Sequence, residues 1–178
     1  MAKEIAAQIE PGGQLLDVGC GSGFIAHHLV GLCGARVVGV DVAPTAEAAI
    51  PYTRYQGRCL PFDEASFDAA LLCYVLHHSA EPTLLVHEVR RVLRSGGRLV
   101  VYEDLPSTVF DRTLCRRHEA SWRARTGPCT FLDETGWRAV FQAAGFTLLS
   151  ARRLSRWRNA GNPVARVRFV LEAAASPA

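Results

Sequence analysis

No apolar run in this 178-residue chain is long enough to cross a bilayer. The longest, Ala69 to Leu76, falls far short of the ~20 residues a spanning helix needs. The opening Met1-Ala2-Lys3-Glu4-Ile5 carries an acid and lacks the long apolar core of a secretory signal. A cytoplasmic location is the expectation. No C-x-x-C pair exists among Cys20, Cys33, Cys59, Cys73, Cys115 and Cys129, and no Cys/His spacing matches a zinc motif. No metal is therefore expected, and the thiols read as reduced, several of them as small apolar fillers. Internal repeats and low-complexity tracts are missing too. Lysine is almost absent, with Lys3 the only one, so the net charge of +3 rests on arginine. Most of the arginines follow residue 112, among them Arg116, Arg117, Arg123, Arg125, Arg156, Arg158, Arg166 and Arg168. Arginine pairs with carboxylate and phosphate. An anionic substrate or a plain solvated face both fit that bias.

What is present is a chain of ordinary composition, 49% hydrophobic and 21% charged, long enough for one domain with a full core. Its organising stretch is Leu15-Leu16-Asp17-Val18-Gly19-Cys20-Gly21-Ser22-Gly23. An apolar strand ends in three alternate glycines, and an apolar helix follows. Glycines at such a turn let the backbone approach a ligand, and the helix aims its free N–H groups at the same place. A nucleotide-like cofactor is the expectation.

A short helix is predicted over residues 3 to 10, and Pro11-Gly12-Gly13 stops it. Strands are predicted over Gln14–Val18, Arg36–Val40, Thr53–Gln56, Phe67–Cys73 and Arg98–Tyr102. Between them come a helix over Gly23–Cys33, with Ile25, Leu29 and Leu32 inward, and one from Glu81 or Pro82 to Leu93. Ser95-Gly96-Gly97 reads as a turn. Residues Val109 to Arg123 suit a helix, and Asp133 caps another that turns Trp137, Val140, Phe141 and Ala144 inward. Two strands close the chain, Phe146–Leu154 and Pro163–Glu172, with a frayed tail over Ala173–Ala178. Strands alternating with helices argue for a doubly wound α/β domain spanning residues 1–178. Ligands in such sheets sit beyond the carboxyl ends of the strands. Gly19 to Gly23, Asp41, Cys73-Tyr74 and Glu103-Asp104 all fall at such ends.

The dinucleotide fingerprint is G-x-G-x-x-G. Gly19, Gly21 and Gly23 do not have that spacing, which speaks against a nicotinamide enzyme. With Asp17 before the glycines and Val38-Gly39-Val40-Asp41 after them, the chain instead resembles the class I S-adenosylmethionine-dependent methyltransferases. It is most similar to the small-molecule subgroup related to the ubiquinone and menaquinone enzymes. Leu60-Pro61-Phe62, Ser66-Phe67-Asp68, Val75-Leu76-His77-His78 and Val92-Leu93-Arg94-Ser95-Gly96-Gly97 match in the family's order, and the match resumes at Trp137–Phe146. The resemblance implies a Rossmann-like, mostly parallel sheet of order 3-2-1-4-5-7-6 with the last strand antiparallel. It implies S-adenosylmethionine as cofactor and S-adenosylhomocysteine as product. The expected cofactor residues are Asp17, Gly19, Cys20, Gly21, Gly23, Asp41, Val42, Cys59, Leu60, Cys73 and Tyr74. Asp41 offers two oxygens at diol spacing. Gln56 or Arg58 stands where relatives often carry an acid for adenine.

Methyl transfer from a sulfonium is an in-line displacement that needs alignment above all. An oxygen or nitrogen acceptor also calls for a base. Glu103, Asp104 and His78 are the catalytic candidates, with His77 and Tyr74 nearby. His27, His28, His87 and His118 fall on helices and read as solvated or packed, without metal-ligand company. Residues 105–132 read as a substrate-recognition lid, in which Trp122, Phe131 and the arginines face the acceptor. The resemblance implies transfer to a small organic acceptor through oxygen, nitrogen or carbon. The alternatives are a larger anionic acceptor, or a cofactor-binding subunit that needs a partner chain. Nucleic acid is disfavoured, because the proline-rich tetrapeptide of amino-methylating nucleic-acid enzymes gives way to Cys73-Tyr74-Val75-Leu76. Only about a dozen residues precede the first strand, so little or no N-terminal cap is expected. A pocket left open in this way has room for a homodimer or a partner chain to cover it.

Overall fold

The computed structural model describes residues 1–175. Its core is a seven-stranded sheet, with strands numbered in chain order as β1 (Gln14–Val18), β2 (Arg36–Asp41), β3 (Tyr52–Arg54), β4 (Phe67–Cys73), β5 (Leu93–Leu105), β6 (Phe146–Leu154) and β7 (Ala165–Ala173). The order across the sheet is β3-β2-β1-β4-β5-β7-β6. β1 to β5 run parallel, and β7 is antiparallel to both its neighbours. This is the expected order and sense. The helices are α1 (Ala2–Ala6), α2 (Phe24–Cys33), α3 (Pro82–Val92), α4 (Val109–Thr126) and α5 (Glu134–Ala143). Among the described residues, no helix is long and apolar enough to cross a membrane.

Strand side chains alternate between the two faces of a sheet. Leu16, Val18, Ala70, Leu72, Leu99 and Val101 therefore share one face, where Leu85 and Val89 of α3 and Trp137 and Phe141 of α5 cover them. Leu15, Leu71, Val100 and Tyr102 point the other way, against Ile5 of α1 and Ala26 and Leu29 of α2. A sheet covered on both faces reads as near-continuous apolar strands, which is why β1 and β4 were legible. Leu32 is an exception to the expected α2 face: it is 44% exposed. Asp133 caps α5 as expected, its side chain accepting from the Gly136 N–H at 2.8 Å.

Three further expectations change. β5 begins at Leu93, not Arg98: Leu93 pairs with Phe67, and the register shifts before Ala69 pairs with Arg98. The Ser95-Gly96-Gly97 stretch is that irregularity within a strand. β5 also runs past Tyr102 to Leu105, so Glu103 and Asp104 lie inside the ladder. The third correction concerns charge. Arg166 and Arg168, counted with a solvated basic face, are 5% and 9% exposed within β7. Of the tail, Ala173 closes β7, and residues 176–178 lie outside the described residues.

The strand order reverses between β1 and β4. At that switch point the connections leave in opposite directions, and the carboxyl ends open a crevice.

Candidate functional site

β1 delivers the chain into a turn where Gly19, Gly21 and Gly23 have φ of 68°, 52° and 79°. Only glycine adopts such angles without strain. The Gly19 and Cys20 N–H groups donate to Val40 O at 2.7 and 3.2 Å, tying the turn to β2. The glycines then differ in purpose. A Cβ on Gly19 would stand 2.5 Å from Val75 Cγ2, and one on Gly23 2.9 Å from Ile50 Cδ1. A Cβ on Gly21 would meet nothing within 4 Å. Gly21 borders open space, whereas Gly23 is needed for packing.

Asp41 ends β2 beside this turn. Its Oδ2 accepts from the Gly21 N–H at 2.8 Å, and its Oδ1 from the Ala43 N–H at 3.0 Å. A carboxylate has about four lone-pair sites, so acceptor capacity remains for a diol.

Asp17 is 2% exposed, and its Oδ2 has no hydrogen-bond partner among the described residues. Burial, with the Asp41 carboxylate adding to it, pushes its pKa up to about 7. In the unfolded chain it would titrate near ~3.9. Between those values the unfolded state has released a proton the folded state keeps, so stability falls as pH rises from about 4 to 7. Asp17→Asn is expected to flatten that slope and to stabilise the ligand-free chain by up to ~4 kcal/mol at pH 8. It is also expected to weaken binding of any cationic ligand group. Thermal melts from pH 4 to 8 check the first effect, and a slope unchanged from wild type would refute it.

The crevice is a cavity of about 1020 Å³. Of the expected residues, Gly19, Gly21, Asp41, Val42, Tyr74, His78 and Asp104 line it. Gln56 and Arg58 line it too. The remaining expected residues stand back from it. Asp17 lies beneath the turn. Cys20 packs toward β2, its Sγ 2.7 Å from where a Gly39 Cβ would stand. Cys59 is exposed outside the cavity. Leu60 is 3% exposed, its N–H donating to Glu88 Oε2 at 2.9 Å. Cys73 is half-buried beside the tyrosine, and burial holds its thiol well above the usual range.

Tyr74 takes φ of 59° immediately after β4, an uncommon angle for a side chain of its size. Its N–H donates to Tyr102 O at 2.9 Å, and the Arg166 guanidinium sits 5.7 Å from its ring centroid. Arg166 Nε also donates to Asp104 Oδ1 at 2.9 Å, and its Nη2 to Asn162 O at 2.7 Å. Burial raises the Asp104 pKa, and the Arg166 charge opposes that rise. Arg166 and Asn162 were invisible as site residues, because β7 reaches the cavity only through its pairing with β5.

Glu103 is fully buried and does not line the cavity. Its Oε1 accepts from the Leu76 N–H at 2.8 Å, and its Oε2 lies 2.5 Å from His77 Nδ1. Glu103 therefore acts on the cavity through His77, which does line it. Burial opposes a charge on His77, but the Glu103 carboxylate outweighs it and holds the imidazole above its ordinary range. Burial, with the neighbouring His77 and His118, pushes His78 down to about 4.

His118 needs correction. It is not a lone helix histidine: α4 brings its Nε2 to 3.0 Å from His78 Nε2 and 3.4 Å from His77 Nε2. No sequence spacing signals this, since about forty residues separate the partners. Trp122, one turn further along α4, stacks near His118 with ring centroids 6.0 Å apart, and Phe131 stacks on His77 at 4.8 Å.

Residues 16–101 match the family model described as a methyltransferase domain. That match, the relatives below and the shared fold together support a class I S-adenosylmethionine-dependent methyltransferase. Within the wider group the chain is 31% identical to the sterol 24-C-methyltransferase ERG6B of Gibberella zeae, over 79% of this chain and 41% of that one. It is also 31% identical to the ubiquinone biosynthesis O-methyltransferase of Xanthomonas axonopodis pv. citri, over 53% of this chain and 45% of that one. The chain thus spans less than half the length of these curated relatives. Among solved structures, the [4+2]-cyclase SpnF superposes with a TM-score of 0.80 at 19% identity, covering 98% of this chain and 80% of that one. That likeness shows the fold alone.

The residues present fit the methyltransferase cofactor. The unpartnered Asp17 oxygen suits an ammonium, as on the methionine part. The space a Gly21 Cβ would fill suits the cofactor body, and the remaining Asp41 lone pairs suit a ribose diol.

Proposed function

We propose that this chain methylates a small organic acceptor at an oxygen or nitrogen atom, with S-adenosylmethionine as donor. One observation carries the reading: a single cavity joins Gly19, Gly21 and Asp41 at one end to Tyr74, His77, His78 and Asp104 at the other. When bound, the cofactor would supply an activated methyl carbon whose leaving group is a neutral thioether, so that an acceptor lone pair aligned opposite the sulfur could form the new bond as the C–S electrons go to sulfur. The glycine turn, with the buried Asp17 carboxylate behind it, would hold the methionine end, and Asp41 would hold the ribose. Val42, Gln56 and Arg58 border the adenine side. Tyr74, fixed by its backbone bond to Tyr102 and by Arg166, narrows the middle of the cavity and sets the line of attack. Asp104 and Arg166 form a paired polar wall for the acceptor. His78, neutral at physiological pH, is suited to border and hydrogen-bond the acceptor, and Glu103 is a positioning residue that orients His77.

We read residues 1–178 as one domain, with 105–132 as the acceptor-side lid. α4 supports this, because His118, Trp122, Arg125 and Thr126 on it border the cavity. Arg125 lies 5.3 Å from the Trp122 ring centroid, so the lid offers an aromatic face and a cation together. An acceptor with a planar body and an anionic group suits that pair. A cytoplasmic site of action fits the same reading.

Calorimetric titration with S-adenosylhomocysteine tests the base of the proposal. Saturable binding by the folded chain, at one ligand per chain, is the expected result. No heat at millimolar ligand would overturn it.

A further inference from the structure

We propose that His77, His78 and His118 hold a divalent transition metal of the zinc type, with an open coordination position facing the cavity. The three side chains each present one ligand atom, and those atoms all lie within 4.8 Å of one another. Two of the separations are 3.0 and 3.4 Å, between His118 Nε2 and its two neighbours. A tetrahedral zinc with Zn–N bonds of ~2.0–2.1 Å requires nitrogen pairs about 3.3 Å apart. Two edges of the cluster therefore have nearly the spacing of one face of a coordination tetrahedron, and the third, within 4.8 Å, closes by a rotation of the His77 or His78 ring when a cation binds.

The outer contacts orient the rings the way metal ligands are oriented. A ligating histidine gives its second N–H to a carboxylate, a carbonyl or a similar acceptor, which fixes the tautomer. His77 Nδ1 lies 2.5 Å from Glu103 Oε2, so its proton sits there and the Nε2 lone pair is free. Glu103 is itself held by the Leu76 N–H at 2.8 Å. His78 Nδ1 lies 3.1 Å from Thr126 Oγ1, whose hydroxyl donates to Trp122 O at 3.4 Å, so His78 also keeps its proton on Nδ1. Two Nε2 lone pairs then converge on the Nε2 of His118. Without a cation, one proton on His118 serves both. With one, all three nitrogens serve as ligands. Cys129 Sγ stands 3.4 Å from His78 Nδ1, on the far side of that ring from the other two imidazoles, and is not a ligand.

All three histidines line the cavity, so the fourth position is open to it. Structural zinc sites are closed by four protein ligands, whereas sites with three keep one position for water or substrate. The ligand class is therefore a divalent cation together with water or an ionisable acceptor oxygen. The link to the acceptor rests on the methyltransferase reading; the cation site does not.

The test uses the full chain, stripped of metal with a chelator and then dialysed. Zn²⁺ is titrated by calorimetry, and Co²⁺ is added as a visible probe of tetrahedral coordination. Wild type is expected to take one Zn²⁺ per chain and to give the tetrahedral Co²⁺ spectrum. Glu103→Gln is expected to lose ~10–100-fold in Zn²⁺ affinity, and His118→Ala to lose at least as much. His87→Ala, on the exposed side of α3, is expected to bind as wild type does. S-adenosylhomocysteine titration and a melting curve on each variant report the fold and the cofactor site separately. Stoichiometric Zn²⁺ binding lost in His118→Ala with cofactor binding intact supports the site. Absence of stoichiometric binding by wild type overturns it, as does an affinity unchanged in His118→Ala. Neither of those outcomes bears on the cofactor reading, which fails only if wild type does not bind S-adenosylhomocysteine.

Discussion

Gly21→Val leaves a folded sheet that no longer binds S-adenosylhomocysteine. The expectation rests on a contrast within one turn. A Cβ on Gly21 meets nothing within 4 Å, so a valine side chain enters the cavity and not the core. The fold loses only what a branched residue costs at φ of 52°, about 1–2 kcal/mol for the left-handed region. Ligand affinity is expected to fall by more than ~100-fold, a loss of ~2.7 kcal/mol or more, because the side chain occupies the ligand's place. Gly19→Ala is the informative companion. Its Cβ would stand 2.5 Å from Val75 Cγ2, so that variant disturbs the packing as well as the site. Circular dichroism and calorimetry together check the pair. An unchanged affinity in Gly21→Val would mean that the cofactor lies elsewhere.

Asp111→Ala is expected to cost about 2–4 kcal/mol, because it orphans the buried Ala165 N–H and removes the partner of a partly exposed Arg156. Asp111 is fully buried at the start of α4. It caps the helix reciprocally with Thr108, accepts from the Ala165 N–H at 2.9 Å, and receives both Arg156 Nη groups. One carboxylate thus fastens α4 to β7 and to the loop before it. Removing it leaves a buried backbone N–H and an arginine without their acceptor. A domain of this size loses about 2–4 °C per kcal/mol, so the melting temperature is expected to drop by on the order of 10 °C. The titration has a definite sign. Burial raises the Asp111 pKa, but the Arg156, Ala165 and Thr108 hydrogen bonds outweigh it and bring the pKa down to about 2. The ionised pair stabilises the fold above the unfolded value of ~3.9. That contribution, ~2 kcal/mol, is lost as pH falls from about 4 to 2. Asp111→Asn is expected to lack this acid-dependent loss. If acid melts of Asp111→Asn and wild type run parallel, the carboxylate does not hold α4. Because His118 and Trp122 ride on the same helix, both variants should also loosen the acceptor side of the cavity before the cofactor side.

The parallel strands were legible because both faces of each are covered. Gln14–Val18 and Phe67–Cys73 run between the residues their apolar content predicts. Asp133, Trp137 and Phe141 were equally clear, since a cap and a 3.6-residue period identify a helix without tertiary help. Two local signals misled. Ser95-Gly96-Gly97 carries turn chemistry, yet the chain keeps pairing through it from Leu93. Arg166 and Arg168 look like surface charge, yet β7 lies between β5 and β6, and Asp104 of β5 pairs with the buried Arg166.

By itself the sequence determined the α/β class, the glycine turn and the acid at the end of β2, all of which rest on contacts near in the chain. Alternation, capping and positive φ are properties of short segments, and short segments display them in their residue types. Tertiary structure alone decided what faces the cavity. It turned Glu103 inward to His77, set Arg166 over Tyr74, and brought His118 across about forty residues to His77 and His78. Those pairings depend on where β5, β7 and α4 pack relative to one another, and no local pattern encodes the distance between elements.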